Sequence, residues 1–460
     1  MPPIHVVVLA AGKGMRMKSD LPKVLHRVGG RPMIEHVLAA ARALQPQSVT
    51  LVIGHEAERV RSALMEHRDL RFVVQEPQLG TAHALQATEP VLRDAEGVLV
   101  LLSGDVPHLA AGTLRRLVEH HVRTSAAVTV LTAVVENPQG YGRIVRNGEG
   151  IARIVEERDA SPAERAITDI NAGIYVFDLS GLFDALREIG PENAQHEHYL
   201  PDIVRLYRRR GRQVETMTVT EPNQIMGINS RSELAASKRV MRARKNAQLM
   251  GDGVTLEDPD TIYVDDMVEI GVDTVIHPGV YLEGHTVIGS GCVIHSGVRV
   301  VNATIGDRTQ LFNHSVITDV TIGSDAAIGP FAHVHKKSAI ASSTKVGNFV
   351  EVKNTTFGDG SKAAHLAYLG DGVIGSKVNI GAGTITCNYD GHKKSTTTID
   401  DGAFIGSDTQ LIAPVTIGRE AYVGTGTTIR ENVPPGALAV SAGKQRNIEG
   451  WVERKRKKKL

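Results

Sequence analysis

Two patterns of apolar spacing divide this chain. Up to about residue 227, short apolar runs alternate with segments of helical period. Candidate strands at 4–9, 49–53, 71–74 and 98–102 alternate with helical segments such as 33–44, 57–66 and 81–87. That alternation predicts βαβ units around a mostly parallel α/β sheet. Ligands of such a sheet gather at the carboxyl ends of its strands. Leu9-Ala10-Ala11-Gly12 and Ser103-Gly104-Asp105 both fall at such ends.

A break follows near Gly227. Ser230 and Glu233 have the spacing of a capping box, so a helix is expected to run to about Met250 and stop at Gly251. Its Lys238, Arg239, Arg242, Arg244 and Lys245 suggest a solvated connector. Beyond it the period becomes six. Ile270, Ile276, Leu282, Ile288 and Ile294 form one series, and Ile399, Ile405, Leu411, Ile417, Val423 and Ile429 another. A hexapeptide period predicts a parallel β-helix with one aliphatic per repeat pointing inward. The period lapses over residues 351–368 and 385–398, where loops on a binding face are expected. The expected organisation is therefore residues 1–228, a linker helix at 229–250, and a β-helix over 251–460.

A chain of 460 residues is too long for one ordinary core. Its net charge of +1 gives no general case for nucleic acid as a partner. The exception is the basic run Arg454-Lys455-Arg456-Lys457-Lys458-Lys459, expected to be a disordered, solvated tail. Two distant cysteines, Cys292 and Cys387, make no metal spacing and suit a reducing, cytoplasmic setting. No cleavable leader pattern and no bilayer-length apolar stretch is visible.

The most informative string runs from Leu9 to Lys23, LAAGKGMRMKSDLPK. Gly12 and Gly14 suit a tight turn, its N–H groups can cradle phosphate, and Arg16 and Lys23 add positive charge. The string is neither a P-loop nor a dinucleotide fingerprint. It looks like the signature of nucleotidyltransferases that activate sugar phosphates. Such chemistry sets anion against anion, so it needs fixed positive groups and a divalent cation. Magnesium prefers one or two protein oxygens, and Asp105 is the obvious carboxylate.

The whole chain resembles the family of bifunctional N-acetylglucosamine-1-phosphate uridylyltransferase / glucosamine-1-phosphate N-acetyltransferase. The resemblance implies a Rossmann-like pyrophosphorylase domain followed by a left-handed β-helix that trimerises. It implies UTP and acetyl-CoA as substrates, Mg2+ as cofactor, and UDP-N-acetylglucosamine, a cell-wall precursor, as product. Asn229 would join Asp105 at the metal. Leu9, Ala10, Ala11, Gly12, Lys23, Ser103 and Gly104 match nucleotide-binding positions, Lys23 and Arg16 contacting phosphate. Gln75, Gly80 and Thr81 match the uracil-recognition segment, while Gly142, Glu156 and Asn171 match sugar positions. Ser103 departs from the tyrosine common there.

For acetyltransfer, no Cys-His or Ser-His-Asp set suggests an acyl-enzyme, so direct attack by an amine is the simpler chemistry. By resemblance His365 is the general base, presented beside a lapse in the period, with Glu351 to orient it. Lys353, Tyr368, Asn379 and Lys394 match sugar-phosphate positions. Ala382, Asn388, Tyr389, Ser407 and Thr425 match the acetyl-CoA region. Two arginines of the family are missing. His335-Lys336-Lys337 replaces one, leaving either His335 or a lysine to meet the phosphate. Ala442, with Lys444 and Arg446 nearby, replaces the other. Two rival readings are a monofunctional sugar-nucleotide pyrophosphorylase with a structural β-helix, and a non-catalytic trimeric scaffold.

Overall fold

A computed structural model describes the chain except for Glu149, Ala442, Lys444 and residues 458–460. The arginine replacement at Ala442, its neighbour Lys444 and the last residues of the basic run lie outside the described residues. Two compact units, Met1–Met241 and Arg242–Leu460, divide within a single helix.

The first unit is built on a nine-stranded sheet. Its strands are β1 (Ile4–Leu9), β2 (Ser48–Ile53), β3 (Leu70–Val74), β4 (Val98–Ser103), β5 (Val128–Val134), β6 (Arg143–Asn147), β7 (Gly150–Val155), β8 (Asp169–Asp178) and β9 (Val214–Thr218). The main order is β9-β5-β8-β4-β1-β2-β3, with the β6–β7 hairpin attached to β8. The sheet is mixed, because β8 runs antiparallel to both β4 and β5. Central strands β1, β2 and β4 are buried almost throughout, which is why they read as unbroken apolar runs. Helices α1 (Met33–Arg42), α2 (Ala57–Ala63), α3 (Thr81–Gln86) and α4 (Ala111–Thr124) supply the returns. In α4, Leu114, Leu117, Val118 and His121 are buried at helical spacing. Order reverses on either side of β1, and Leu9 lies level with Ser103. The two strand ends singled out in the sequence are thus neighbours at a topological switch point.

Helix α5 (Arg231–Gly251) starts where the capping box predicts. Glu233 N–H donates to Ser230 Oγ at 3.2 Å, and Ser230 N–H to Glu233 Oε2 at 3.0 Å. It is not uniformly solvated. Lys245 is buried and donates to the carbonyls of Asp266 (3.0 Å) and Val268 (2.8 Å). Two converging carbonyls compensate its desolvation, which pure charge counting cannot foresee.

The second unit winds through three parallel sheets of 11, 10 and 9 strands among the described residues. It is a left-handed parallel β-helix. Of the eleven aliphatics in the two six-residue series, all but Ile270 are buried. Each contributes roughly 1.5–3 kcal/mol relative to exposure. Buried hydroxyls join successive coils. Thr309 Oγ1 donates to Gly323 O at 2.9 Å, and Ser361 Oγ to Gly375 O at 2.7 Å.

The lapse over residues 351–368 is not an inserted loop. The ladder continues through it, pairing His333 with Glu351 and Glu351 with Tyr368. The period slips because this coil advances 17 residues rather than 18, with Phe357 and Ala363 in the core in place of isoleucine. The second lapse is a true insertion. Asn379 pairs with Phe404, 25 residues on, and the surplus forms a small hairpin with an antiparallel bridge between Tyr389 and Lys394. The basic run also departs from expectation. Trp451–Lys457 is a helix, α6, in which Lys455 Nζ lies 4.6 Å from the Trp451 ring centre. That pair has the i,i+4 spacing that brings side chains together on a helix.

Coil-to-coil spacing leaves no room for a methyl at Gly347, where a Cβ would lie 1.9 Å from the Ala364 carbonyl oxygen. Gly347→Ala is expected to destabilise the second unit by about 1–3 kcal/mol, the usual range for overpacking. Urea unfolding followed by circular dichroism would measure it; an unchanged midpoint would contradict this packing.

Candidate active sites

The first site is a cleft of about 520 Å³ at the ends of β1 and β4, within the usual range for small-molecule sites. Leu9, Ala10, Ala11 and Gly12 line one wall, and Gln75, Gly80 and Thr81 another. Lys23, Ser103 and Asp105 complete it. Gly14 has a φ of 59°, and a Cβ there would sit 2.8 Å from the Lys23 Cβ, so glycine is needed both to turn the loop and to let Lys23 pass. Gly104 is not among the lining residues. It is small for packing, since a Cβ would meet Ile34 Cδ1 at 2.9 Å. Arg16 is exposed on the 3₁₀ turn Met15–Met17 and also lies outside the lining.

Lys23 holds the centre. Its Nζ donates to Asp105 Oδ2 at 2.5 Å and to Asn229 Oδ1 at 3.0 Å. Ser230 and Glu233 form the helix cap, which leaves the Asn229 side chain for Lys23. One carboxylate oxygen and one amide oxygen therefore converge on a positive group. That donor set fits Mg2+.

Gln75 is buried. Its Nε2 donates to Gly80 O (3.0 Å) and His83 Nδ1 (3.1 Å), fixing the amide in the wall. Thr81 Oγ1 accepts from Leu200 N–H at 3.0 Å. The segment 197–200 clamps this wall: His198 N–H donates to Leu79 O, and Ala82 N–H to His198 O. It also brings Glu197 into the lining, a residue the sequence analysis missed because it sits in irregular chain with no motif.

Gly142 just before β6, Glu156 just after β7 and Asn171 on β8 come together outside the lining of the cleft. Asn171 N–H donates to Gly142 O at 2.9 Å. The Asn171 amide is engaged locally, with Nδ2 donating to Tyr175 OH at 2.7 Å and Oδ1 accepting from Gly173 N–H at 3.0 Å. Fully buried Arg143 braces the turn, donating to Glu157 Oε2 at 2.6 Å and to the Tyr141 carbonyl. Glu156 lines a smaller cavity with Asp159 and Asp202. Burial, then the nearby Asp159 and Asp202 charges, push its carboxyl up to about 7.

The second group lies on the β-helix. His333–His335, Glu351–Lys353 and Tyr368–Gly370 are successive strands of one sheet, with His335 level with Lys353 and Glu351 level with Tyr368. His335 Nε2 lies 3.0 Å from Glu351 Oε1. Glu351 thus partners His335, not His365 as expected. His365 ends the strand Lys362–His365 on the adjacent sheet, level with Asn348. It belongs to a regular coil rather than a loop, because the coil carries no insertion. Its Nδ1–H donates to Asn348 Oδ1 at 2.6 Å, which leaves Nε2 exposed as the acceptor. Lys336 and Lys337 are exposed at a left-handed corner.

Asn379 is level with Lys362 on the same sheet as His365. Asn388 is buried, and its Nδ2 donates to Asp371 Oδ2 at 2.5 Å and Tyr368 OH at 3.4 Å. Tyr389 and Lys394 are exposed on the inserted hairpin. Ala382, Ser407 and Thr425 follow Gly381, Gly406 and Gly424 at one corner of successive coils. A Cβ on Gly381 would lie 2.5 Å from Ser407 N, and one on Gly406 2.6 Å from Thr425 N. These glycines permit the close stacking that aligns the three residues.

Residues 6–171 match the MobA-like NTP transferase domain family, and residues 261–357 the GMPPB C-terminal domain family. Fold, cleft and matches together define a nucleotidyltransferase domain followed by a hexapeptide-repeat β-helix. The chain is 48% identical over 451 residues to the bifunctional protein GlmU of Trichlorobacter lovleyi, covering 98% of both chains. It is 47% identical to that of Pelobacter propionicus over 99% of both, and 47% identical to that of Brevibacillus brevis over 97% of this chain and 96% of that one. It belongs to the bifunctional GlmU family.

A carboxyl with a raised folded-state pKa protonates more readily in the folded protein than in the unfolded one. Stability contributed by Glu156 is then present below about 4.5 and lost as pH rises toward about 7. Glu156→Gln should remove that decline and raise stability at pH 8 by on the order of 1–3 kcal/mol. Thermal melts at pH 5 and pH 8 measure it. Parallel pH profiles for both proteins would exclude the raised pKa.

Proposed function

We propose that the two groups of residues are the separate active sites of a bifunctional transferase of UDP-N-acetylglucosamine biosynthesis. Family membership over nearly the whole chain makes it a bifunctional enzyme with acetyltransferase and uridylyltransferase activities. UTP and acetyl-CoA are its substrates. The observation that carries the site assignment is Lys23 held between Asp105 and Asn229 beside the cleft that the signature loop lines.

In uridylyltransfer, a phosphate oxygen of N-acetylglucosamine 1-phosphate attacks the α-phosphorus of UTP, and pyrophosphate leaves. Leu9–Gly12 present backbone to the nucleotide, and Gln75, Gly80 and Thr81 receive the uracil. Lys23 and Arg16 offset the charge of the phosphates. Mg2+ held by Asp105 and Asn229 would supply further neutralisation there. Gly142, Glu156 and Asn171 shape the sugar's surroundings, and Ser103 and Gly104 contribute through backbone.

In acetyltransfer, the amine of glucosamine 1-phosphate attacks the thioester carbonyl of acetyl-CoA, and the thiolate leaves. His365 accepts the amine proton at Nε2, the atom its bond to Asn348 leaves free. His335, Lys353, Tyr368, Asn379 and Lys394 hold the sugar phosphate. Ala382, Asn388, Tyr389, Ser407 and Thr425 hold acetyl-CoA. The His365–Asn348 pair favours this reading over a purely structural β-helix. The functional unit proposed is a trimer. It is supported by an exposed ridge of Phe331, Phe349 and Leu366 on successive corners of the β-helix, with Phe331 and Phe349 stacked at 5.4 Å. Unpaired Cys292 and Cys387 agree with a cytoplasmic setting. Among the described residues no helix is long and apolar enough to cross a membrane.

Asp105→Ala should abolish uridylyltransfer and spare acetyltransfer. His365→Ala should do the reverse, lowering acetyltransfer about 10²–10⁴-fold. Separate initial-rate assays decide the matter, and loss of both activities in a folded single variant would defeat the two-site assignment. Sedimentation should show a trimer; a monomer with full acetyltransfer activity would remove the need for one.

A further inference from the structure

His333, His335 and Glu351 stand together on the outer face of one β-helix sheet. Val334 between the histidines is wholly buried, so its two neighbours share the opposite, outward side of the strand. Their rings stack with centres 4.0 Å apart and 5° between planes. Glu351 is level with His333 on the next coil, and its Oε1 lies 3.0 Å from His335 Nε2. One donor atom from each residue lies within 4.8 Å of the others. Among the described residues this is the only such group of three. Each position is fixed by parallel pairing on both sides, with Val316–Thr318 before it and Tyr368–Gly370 after it.

We propose that these three residues bind a divalent transition-metal ion of the zinc class and that the ion receives the phosphate of glucosamine 1-phosphate. Two imidazoles and one carboxylate suit zinc, nickel or cobalt; magnesium and calcium favour oxygen alone. Three protein ligands leave a fourth tetrahedral position open to an external oxygen. Lys353 is the cross-strand neighbour of His335 and adds a second positive group beside that position. The ion thereby restores the charge that the arginine expected at position 335 would have brought. Its phosphate role rests on the acetyltransfer reading given above, but metal binding does not.

The test uses the full chain without a histidine tag, stripped with a chelator and titrated with zinc chloride by calorimetry. Retained metal is then counted by atomic emission after gel filtration. One zinc per chain should bind, and His333→Ala and Glu351→Gln should each weaken it at least about tenfold. His277→Ala, at the separate stacked pair His277–His295, should bind as the parent does. Circular dichroism checks that each variant folds. No retained zinc, or equal binding by the parent and His333→Ala, overturns the metal site. Stripping zinc should also raise the KM for glucosamine 1-phosphate in acetyltransfer, and His333→Ala should be insensitive to stripping. An unaltered KM with zinc bound overturns the phosphate role. Undiminished acetyltransfer in His365→Ala would instead strike at the active-site assignment while leaving the zinc titration intact.

Discussion

Parallel strand pairing is the constraint on which both units depend. Parallel neighbours require the chain to return to the same end before each new strand. The first unit returns through helices, so the ends of β1 and β4 lie side by side and their loops form one cleft. The second returns around a narrow prism, so residues 17 or 18 apart in sequence become neighbours. In each unit the same rule brings distant residues into one site. Lys23 and Asp105 are 82 positions apart, and His335 and Glu351 are 16.

The β-helix makes this rule unusually strict. Its inner column is filled by aliphatics and its corners by buried hydroxyls that bond to the next coil. Coils of 17 and 18 residues both keep the ladder, but a larger surplus has no place in the core. The surplus near residue 388 is therefore expelled as a hairpin, which carries Tyr389 and Lys394 outward. Site residues on this unit are placed by coil and corner more than by sequence number.

Much of this was legible from the chain. The β1 run, the loop after it, the capping box at Ser230 and the six-residue series all carry local chemistry that determines local structure. The misreadings along the β-helix have a common origin. A 17-residue coil preserves the three-dimensional ladder while breaking the linear period, so residues 351–368 looked like a loop. That in turn misplaced the partner of Glu351, since sequence distance cannot say whether His335 or His365 stands beside it. Lys245 was misjudged for another reason. Its burial depends on carbonyls from a later segment, and a polar side chain does not advertise such partners. Glu197 was invisible because its position comes from a loop clamp rather than a pattern.

The ion pair of Lys23 with Asp105, shared with Asn229, means that the cleft carries its own counter-ion. The Asp105 carboxylate is neutralised by Lys23 before any ligand arrives. On the proposed assignment, a cation bound by the Asp105 and Asn229 oxygens takes the place of the lysine, and a bound phosphate draws the same lysine away. Each event lowers the cost of the other, and thermodynamic reciprocity makes the two benefits equal. On that assignment, one lysine couples the occupancy of metal and nucleotide.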